Sequence, residues 1–313
     1  MRAAPPTGPL HDLLAILELS ELPGQGPDVF IGDSQPQPHG RVFGGQVLGQ
    51  TVVAATRTVA ADRPVHSMHA YFLRPGDPQE PITFQVERLR DGQSFSARRV
   101  HAIQRDAPIL SMIASFQRPA PGLEHFDPMP AGMPDPQSLP TLRERYGADA
   151  SPTTAAWLRD RPMDLRHVEE PVFVTPAAER VTRQHLWMRS VDPMPVTDDP
   201  AADAALHAAV LAYASDFSLL EPILRGHGRT FAEPGMRLAS LDHAMWWHRP
   251  VRVDEWLLFV LDSPSAQGSR GLGRAAVYRQ DGTLVASVVQ EGMVRADLSR
   301  EPGLPTTPEP STP

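Results

Sequence analysis

The chain has 313 residues, of which 41% are hydrophobic and 21% charged, a composition typical of a soluble globular protein. Its net charge of −8 and pI near 5.8 argue against nucleic acid as a partner. The absence of cysteine excludes disulfides, thiolate metal sites and a cysteine nucleophile. Every basic residue is Arg, which excludes a Schiff-base lysine and a P-loop lysine, so any phosphate contact would come from arginine.

The hydrophobic residues are spread along the chain rather than gathered in one segment. No run of about 18 apolar residues could form a helix that spans a membrane. The first residues lack the apolar core of a signal peptide. We therefore expect a cytoplasmic enzyme or binding protein with no membrane span.

The first half of the chain predicts two helices and a meander of strands. Residues 11–19 are predicted to form a short helix and residues 29–31 a strand. Residues 41–55, rich in Gly, Gln and small apolar side chains, are predicted to form a helix buried on most sides, because small residues allow close approach. The four strands that follow are predicted at residues 66–73, 82–89, 94–104 and 109–117. A long helix followed by an antiparallel meander indicates an α+β fold.

Residues 118–171 are proline-rich and weakly periodic, with a helical pattern only at 139–146, which predicts a linker. The second half predicts a helix at residues 203–220. Its strands are predicted at residues 172–173, 184–188, 236–248, 255–262, 270–280 and 283–290.

The second half repeats the pattern of the first. The pairs Arg74-Pro75 and Arg249-Pro250 are 175 residues apart, as are Arg99 and Arg274, and Gln117 and Gln290 are 173 apart. A repeat of this length indicates duplication of a whole domain. We therefore predict an N-terminal repeat at residues 1–118, a linker at 119–171, a C-terminal repeat that carries the active site at 172–297, and a frayed tail at 298–313.

Three polar residues of the second half are candidates for a functional site. Asp216 lies about 80° from the centre of the apolar stripe of its predicted helix, at the flank of the core. Gln290 alternates with apolar residues and is predicted to be buried. Within the predicted strand 236–248, Ser240 and Asp242 should share one face. Each also has a structural interpretation: Asp216 as a solvated or capping residue, Ser240 as a partner of the backbone, and Gln290 as a structural amide.

Six motifs give the chain a recognisable pattern. They are RVFGGQ at 41–46, HAYFLRPGD at 69–77, RDGQSFSARR at 90–99, YASD at 213–216, LDHAMWWHRP at 241–250 and VQEG at 289–292. Together they resemble the type II acyl-CoA thioesterase family over nearly the whole length. The resemblance implies an α+β double hot-dog fold, in which each of two tandem repeats wraps an antiparallel sheet around one long helix. It also implies a homo-oligomer.

The activity that the resemblance implies is hydrolysis of fatty acyl-CoA to a free fatty acid and CoA. The family's catalytic groups fall on Asp216, Ser240 and Gln290, and the family often has Thr where this chain has Ser240. Asp216 would act as general base on a water that attacks the thioester. No cofactor or metal is expected, because the CoA thioester is itself the substrate. The first repeat lacks a carboxylate in its helix and has His66 or Val65 at the place of Ser240, so we expect one working site per chain.

Two other functions stay open from the residues alone. A hot-dog enoyl-CoA hydratase would require an Asp–His dyad, but Asp242 and His243 are adjacent on a strand and should point to opposite faces. A non-catalytic acyl-CoA binding module is the second alternative. Asp242 is the rival to Asp216 as the functional carboxylate. His243 and His248 are five residues apart and make poor joint metal ligands.

Overall fold

The fold contains one antiparallel sheet and two long helices, and the computed structural model describes residues 7–37, 40–147 and 160–299. The elements of the first half are, in chain order, α1 (Pro9–Leu17), β1 (Ser20–Glu21), β2 (Val29–Gly32), α2 (Gly44–Thr56), β3 (Val65–Phe72), β4 (Ile82–Asp91), β5 (Phe95–Gln104) and β6 (Ala107–Gln117). A 3-10 turn (Pro136–Ser138) and α3 (Leu142–Tyr146) follow. The elements of the second half are β7 (Met163–His167), β8 (Arg183–Ser190), α4 (Pro200–Ser215), α5 (Glu221–Gly226), β9 (Arg237–Ser240), β10 (Asp242–Trp247), β11 (Leu257–Gln267), β12 (Arg270–Arg279) and β13 (Leu284–Arg295).

The strand order is the same in both halves. The sheet runs β1-β2-β4-β5-β6-β3-β10-β13-β12-β11-β8-β7, with β9 paired to β13 beside this path. The first half contributes β2-β4-β5-β6-β3 and the second β8-β11-β12-β13-β10, each with its long helix between the first and second strands of the set. Strands β3 and β10 pair with each other and join the two halves. This is the predicted α+β architecture of two tandem repeats.

The register of the strands confirms the predicted spacing of 175 residues. Glu87 pairs with Arg99 across β4 and β5, and Asp262 pairs with Arg274 at the equivalent place on β11 and β12. Both pairs form salt bridges across the strands. Two ion pairs at equivalent positions show that the repeat extends to individual side chains.

Helix α2 is buried between the sheet and α4, as its small residues predict. It packs on β3 to β6 and against α4. A Cβ atom on Gly45 would lie 2.3 Å from the carbonyl oxygen of Tyr213, and one on Gly49 would lie 3.1 Å from that of Ala209. The two helices are therefore antiparallel and touch through glycine. The helix begins three residues later than predicted, because Phe43 is its extended N-cap.

Two predicted elements of the second half end earlier than the sequence pattern indicates. The helix predicted at 203–220 ends at Ser215, and a separate helix starts at Glu221. The strand predicted at 236–248 is interrupted at Leu241, whose N–H donates to Glu291 and whose carbonyl accepts from Phe72. Leu241 therefore marks the point where the chain, paired with β13 alone in β9, becomes inserted between β13 and β3.

The predicted linker contains a strand of the sheet. Strand β7 alternates buried and half-buried residues, with Met163, Leu165 and His167 buried. The strand predicted at residues 172–173 is wrong: the carbonyls of these residues accept hydrogen bonds from Phe231 and Ala232, but the segment is not a regular strand. The boundaries of the two repeats stay a prediction, and residues 300–313 of the predicted frayed tail lie outside the described residues. Among the described helices, none has the length and apolar character needed to cross a bilayer.

Candidate active site

Asp216 lies where the two long helices meet. It is the C-cap residue of α4, and its side chain faces the N-terminus of α2 from the other repeat. The backbone N–H of Gly45 donates a hydrogen bond to the Asp216 carboxylate. A Cβ atom on Gly44 would lie 2.7 Å from Asp216 Oδ2, so only glycine allows this approach. The carboxylate is thus placed at the positive end of the α2 dipole.

The structure brings the three predicted residues together. Ser240, the last residue of β9, donates its hydroxyl hydrogen to Asp216 Oδ1 at 3.1 Å. Gln290, on β13, donates from Nε2 to Ser240 Oγ at 2.6 Å. Ser240 therefore connects the carboxylate to the amide, although these residues are 24 to 74 positions apart in the chain.

The environment of Asp216 alters its acidity. Burial raises the pKa of Asp216 to about 6, and the hydrogen bonds from Ser240, Gln290 and the Gly45 N–H oppose that rise. The carboxylate is partly open to a cleft, whereas Gln290 is only 1% exposed. A carboxylate with a pKa near 6 is ionised at neutral pH and still basic enough to accept a proton.

Asp242 does not share the face of Ser240, contrary to the prediction. Its Oδ1 accepts the backbone N–H of Glu291 at 2.7 Å, which makes it a structural acceptor between strands β10 and β13. The interruption at Leu241 shifts the alternation by one residue. As a result, Ser240 and His243 both contact Gln290, while Asp242 lies on the other side.

His243 and Ser215 join the same network, and both were missed from the sequence. His243 Nδ1 lies 2.8 Å from Gln290 Oε1, and His243 Nε2 lies 2.9 Å from Ser215 Oγ. His243 is fully buried, and burial lowers its pKa to about 4, so the ring is neutral at physiological pH. A strand without interruption would have turned His243 away from Ser240, so the strand pattern itself hid this residue.

Three glycines of the sheet hold the segment that follows Asp216. A Cβ atom on Gly273 would lie 1.9 Å from the Leu219 carbonyl oxygen, one on Gly292 would lie 2.6 Å from Leu220, and one on Gly271 the same distance from Ile223. The turn after α4 therefore rests directly on β12 and β13. This close packing fixes the backbone that carries Asp216.

The carboxylate opens into a cleft of about 1450 Å³ that both repeats line. Its apolar wall includes Phe43, Tyr213 and Phe217, whose rings contact one another at centroid distances of 5.1 to 5.4 Å. Arg41 and Arg74 of the first repeat also line it. The cleft can therefore accept a molecule with an apolar chain at one end and anionic groups at the other.

Comparison with known proteins gives a consistent result along the chain. Residues 163–293 match the family model described as acyl-CoA thioesterase, and residues 33–117 match the model described as acyl-CoA thioesterase N-terminal domain. The chain is 35% identical over 291 residues to acyl-CoA thioesterase 2 of Haemophilus influenzae, covering 91% of this chain and 98% of that one. It is 36% identical over 306 residues to human acyl-coenzyme A thioesterase 8, covering 93% and 91%. The chain belongs to the acyl-CoA thioesterase family.

Solved structures support the fold of this thioesterase. The acyl-CoA thioesterase II TesB2 of Mycobacterium marinum is 41% identical, with a TM-score of 0.73 over 93% of this chain and 100% of that one. A hot-dog protein of Alicyclobacillus acidocaldarius is 17% identical, with a TM-score of 0.74 over 92% and 99%, and shows the fold alone. The double hot-dog fold is thus confirmed. The thioesterase is a hydrolase of acyl-CoA, which sets aside the hydratase and the non-catalytic binding module.

The two repeats of the thioesterase differ at the site. Ser240 pairs with Gly292 as Val65 pairs with Phe116, so Val65 takes the place of Ser240 in the first repeat. By the same register His243 corresponds to Met68 and Gln290 to Ala114. The prediction that Gln117 corresponds to Gln290 is wrong by three residues, because the strands do not keep one constant offset in sequence. All three equivalents are buried and apolar: Val65, Met68 and Ala114.

Proposed function

We propose that this thioesterase hydrolyses fatty acyl-CoA to a free fatty acid and CoA by direct attack of water, with Asp216 as the general base. The observation that carries the proposal is the joint contact of Ser240 with Asp216 and Gln290. A hydroxyl that touches both a carboxylate and an amide can help to hold one water molecule beside the base. The raised pKa of Asp216 supports its role in accepting the proton of that water.

The reaction needs no covalent intermediate with the protein. Asp216 takes a proton as the water oxygen bonds to the thioester carbonyl carbon, and a tetrahedral oxyanion forms. Collapse of this intermediate breaks the carbon–sulfur bond, releases CoA and leaves the fatty acid. Amides of the first turn of α2, which already face Asp216 at Gly45, support stabilisation of the oxyanion.

The lining of the cleft supports the proposed substrate. The aromatic side chains Phe43 and Phe217 are suited to an acyl chain, because burying apolar surface is favourable. The guanidinium groups of Arg41 and Arg74 are suited to the phosphates of CoA, since arginine binds phosphate through paired donors. We further propose that the enzyme works in the cytoplasm as a homo-oligomer, requires no cofactor and has one working site per chain.

Release of thiol from a fatty acyl-CoA, followed with a disulfide reagent, tests the proposal. Asp216→Asn should lower kcat by about 10²–10⁴-fold, because the general base is lost. Ser240→Ala and Gln290→Ala should lower kcat by smaller factors. Asp242→Asn is the matched control: Asn keeps an oxygen for the Glu291 N–H, so turnover should be unchanged.

Two results would contradict the proposal. Turnover at the wild-type rate in the Asp216→Asn protein would remove the general base from the mechanism. A residual rate in that variant that Gly44 and Gly45 substitutions do not lower, but first-repeat substitutions at Met68 or Ala114 do, would contradict the single site. Melting temperatures of all variants exclude loss of folded protein as the cause.

A further inference from the structure

The proposed mechanism uses one end of the Gln290 amide and leaves the other end to His243. Gln290 Nε2 donates to Ser240 Oγ, and Gln290 Oε1 lies 2.8 Å from His243 Nδ1. An amide oxygen only accepts hydrogen bonds, so His243 Nδ1 must carry the hydrogen in this arrangement. We infer that His243 is a positioning residue, whose Nδ1–H holds Gln290 Oε1 and thereby turns Gln290 Nε2 toward Ser240. The inference rests on the proposed function of Gln290.

The opposite orientation of the amide would disable the site. If the Gln290 amide were reversed, its oxygen would face Ser240 Oγ and attract the hydroxyl hydrogen that now goes to Asp216 Oδ1. His243 would then have to accept at Nδ1 and carry its hydrogen on Nε2. The tautomer of His243 and the orientation of Gln290 are therefore coupled, and only one combination leaves both Ser240 and Gln290 as donors toward the carboxylate.

Ser215 provides the other half of this control. With the hydrogen on Nδ1, the neutral ring accepts at Nε2, and Ser215 Oγ lies 2.9 Å from that atom. The Ser215 hydroxyl is also 2.9 Å from the Ala212 carbonyl oxygen, so its one hydrogen has two acceptors within reach. Ser215 directly precedes Asp216 at the end of α4. The helix end that positions the carboxylate thus also provides the donor that favours the Nδ1–H tautomer.

The first repeat shows that the fold itself does not require histidine here. Its equivalent residue, Met68, is fully buried and apolar. The partners change together, since Val65 stands at the place of Ser240 and Ala114 at that of Gln290. Burying an imidazole costs free energy that methionine avoids, so a histidine beside the amide needs a reason other than packing.

Kinetics of two substitutions at one position separate positioning from packing. His243→Met reproduces the apolar residue of the first repeat and should lower kcat by about 10–100-fold with little change in KM, because Gln290 loses its anchor. His243→Asn can place its amide N–H where Nδ1 lies and should keep kcat within a few-fold of wild type. A fall in kcat that is equal in the two variants would overturn the inference.

A double-mutant cycle shows whether His243 acts through Gln290. In a Gln290→Ala background, His243→Met should cause no further loss of kcat. Full additivity of the two losses would overturn the inference while leaving the role of Gln290 intact. If Gln290→Ala alone had no effect, the proposed function of Gln290 would itself be wrong, which is a separate outcome.

The tautomer can be read directly in the wild-type protein. Long-range ¹H–¹⁵N spectra distinguish the two neutral forms of an imidazole, and the His243 signal is the one that the His243→Asn protein lacks. We expect the Nδ1–H form at neutral pH. Observation of the Nε2–H form would overturn the inference even if His243→Met failed to fold.

Discussion

Asp216→Asn should make the folded protein more stable at neutral pH while it removes activity. Burial raises the pKa of Asp216 from its ordinary 3.8 to about 6. This shift corresponds to about 3 kcal/mol at most, by which the folded state favours the protonated over the ionised carboxyl group. Because the folded-state pKa lies above the unfolded one, wild-type stability falls as pH rises from about 4 to about 6. The Asn variant lacks this loss.

The useful quantity is the change with pH. Asn presents an amide to three donors, the Ser240 hydroxyl, the Gln290 amide and the Gly45 N–H, and this mismatch lowers its stability by the same amount at every pH. The advantage of the variant over wild type should therefore grow by up to about 3 kcal/mol between pH 4 and pH 7.5. Urea unfolding followed by tryptophan fluorescence measures it. An advantage that stays constant or shrinks would refute the desolvation of Asp216.

Asp281→Asn is a control of opposite sign. Hydrogen bonds from Thr283 hold the pKa of Asp281 below its ordinary value, so this carboxylate stabilises the folded state above about pH 4 and less at lower pH. The variant should lose stability relative to wild type as pH rises, by a small amount because the side chain is exposed. If both variants gained stability equally, the cause would be the reduced net charge of −8 and not burial of Asp216.

Three further results are expected. In the wild-type enzyme, kcat should rise about tenfold per pH unit below an apparent pKa of about 6 and level off above it, in steady-state measurements from pH 4.5 to 8.5; a flat profile would contradict Asp216 as base. Gly44→Ala should lower kcat by about 10–100-fold, because the new Cβ would lie 2.7 Å from Asp216 Oδ2, whereas Ser240→Thr should retain kcat within a few-fold because it keeps the hydroxyl. Gly273→Ala should lower both melting temperature and kcat, since its Cβ would lie 1.9 Å from the Leu219 carbonyl oxygen; an unchanged melting temperature would show that this turn adapts without cost.

Periodicity and spacing in the sequence were enough to predict the architecture. The small residues of α2, the alternating strands and the repeat of 175 residues depend on local chemistry, which each segment carries in itself. Strand β7 was missed although Met163, Leu165 and His167 alternate, because the proline-rich composition around it indicated a linker. The exact correspondence of the repeats also failed: Gln117 matches Gln290 in residue type, but Ala114 occupies its place in the sheet.

Asp216, Ser240 and Gln290 were selected from the sequence through helix position, strand pattern and family motifs, and their convergence is a property of the folded chain. Only the tertiary structure decided that Asp242 pairs with a backbone N–H and that His243 joins the network, because the interruption at Leu241 depends on how β3 and β13 pair around it. Only it placed the N-terminus of α2, from the other repeat, against the carboxylate. Local patterns determine which segments form helices and strands, whereas the partners of a buried polar group are set by residues distant in the chain that packing brings within hydrogen-bond distance.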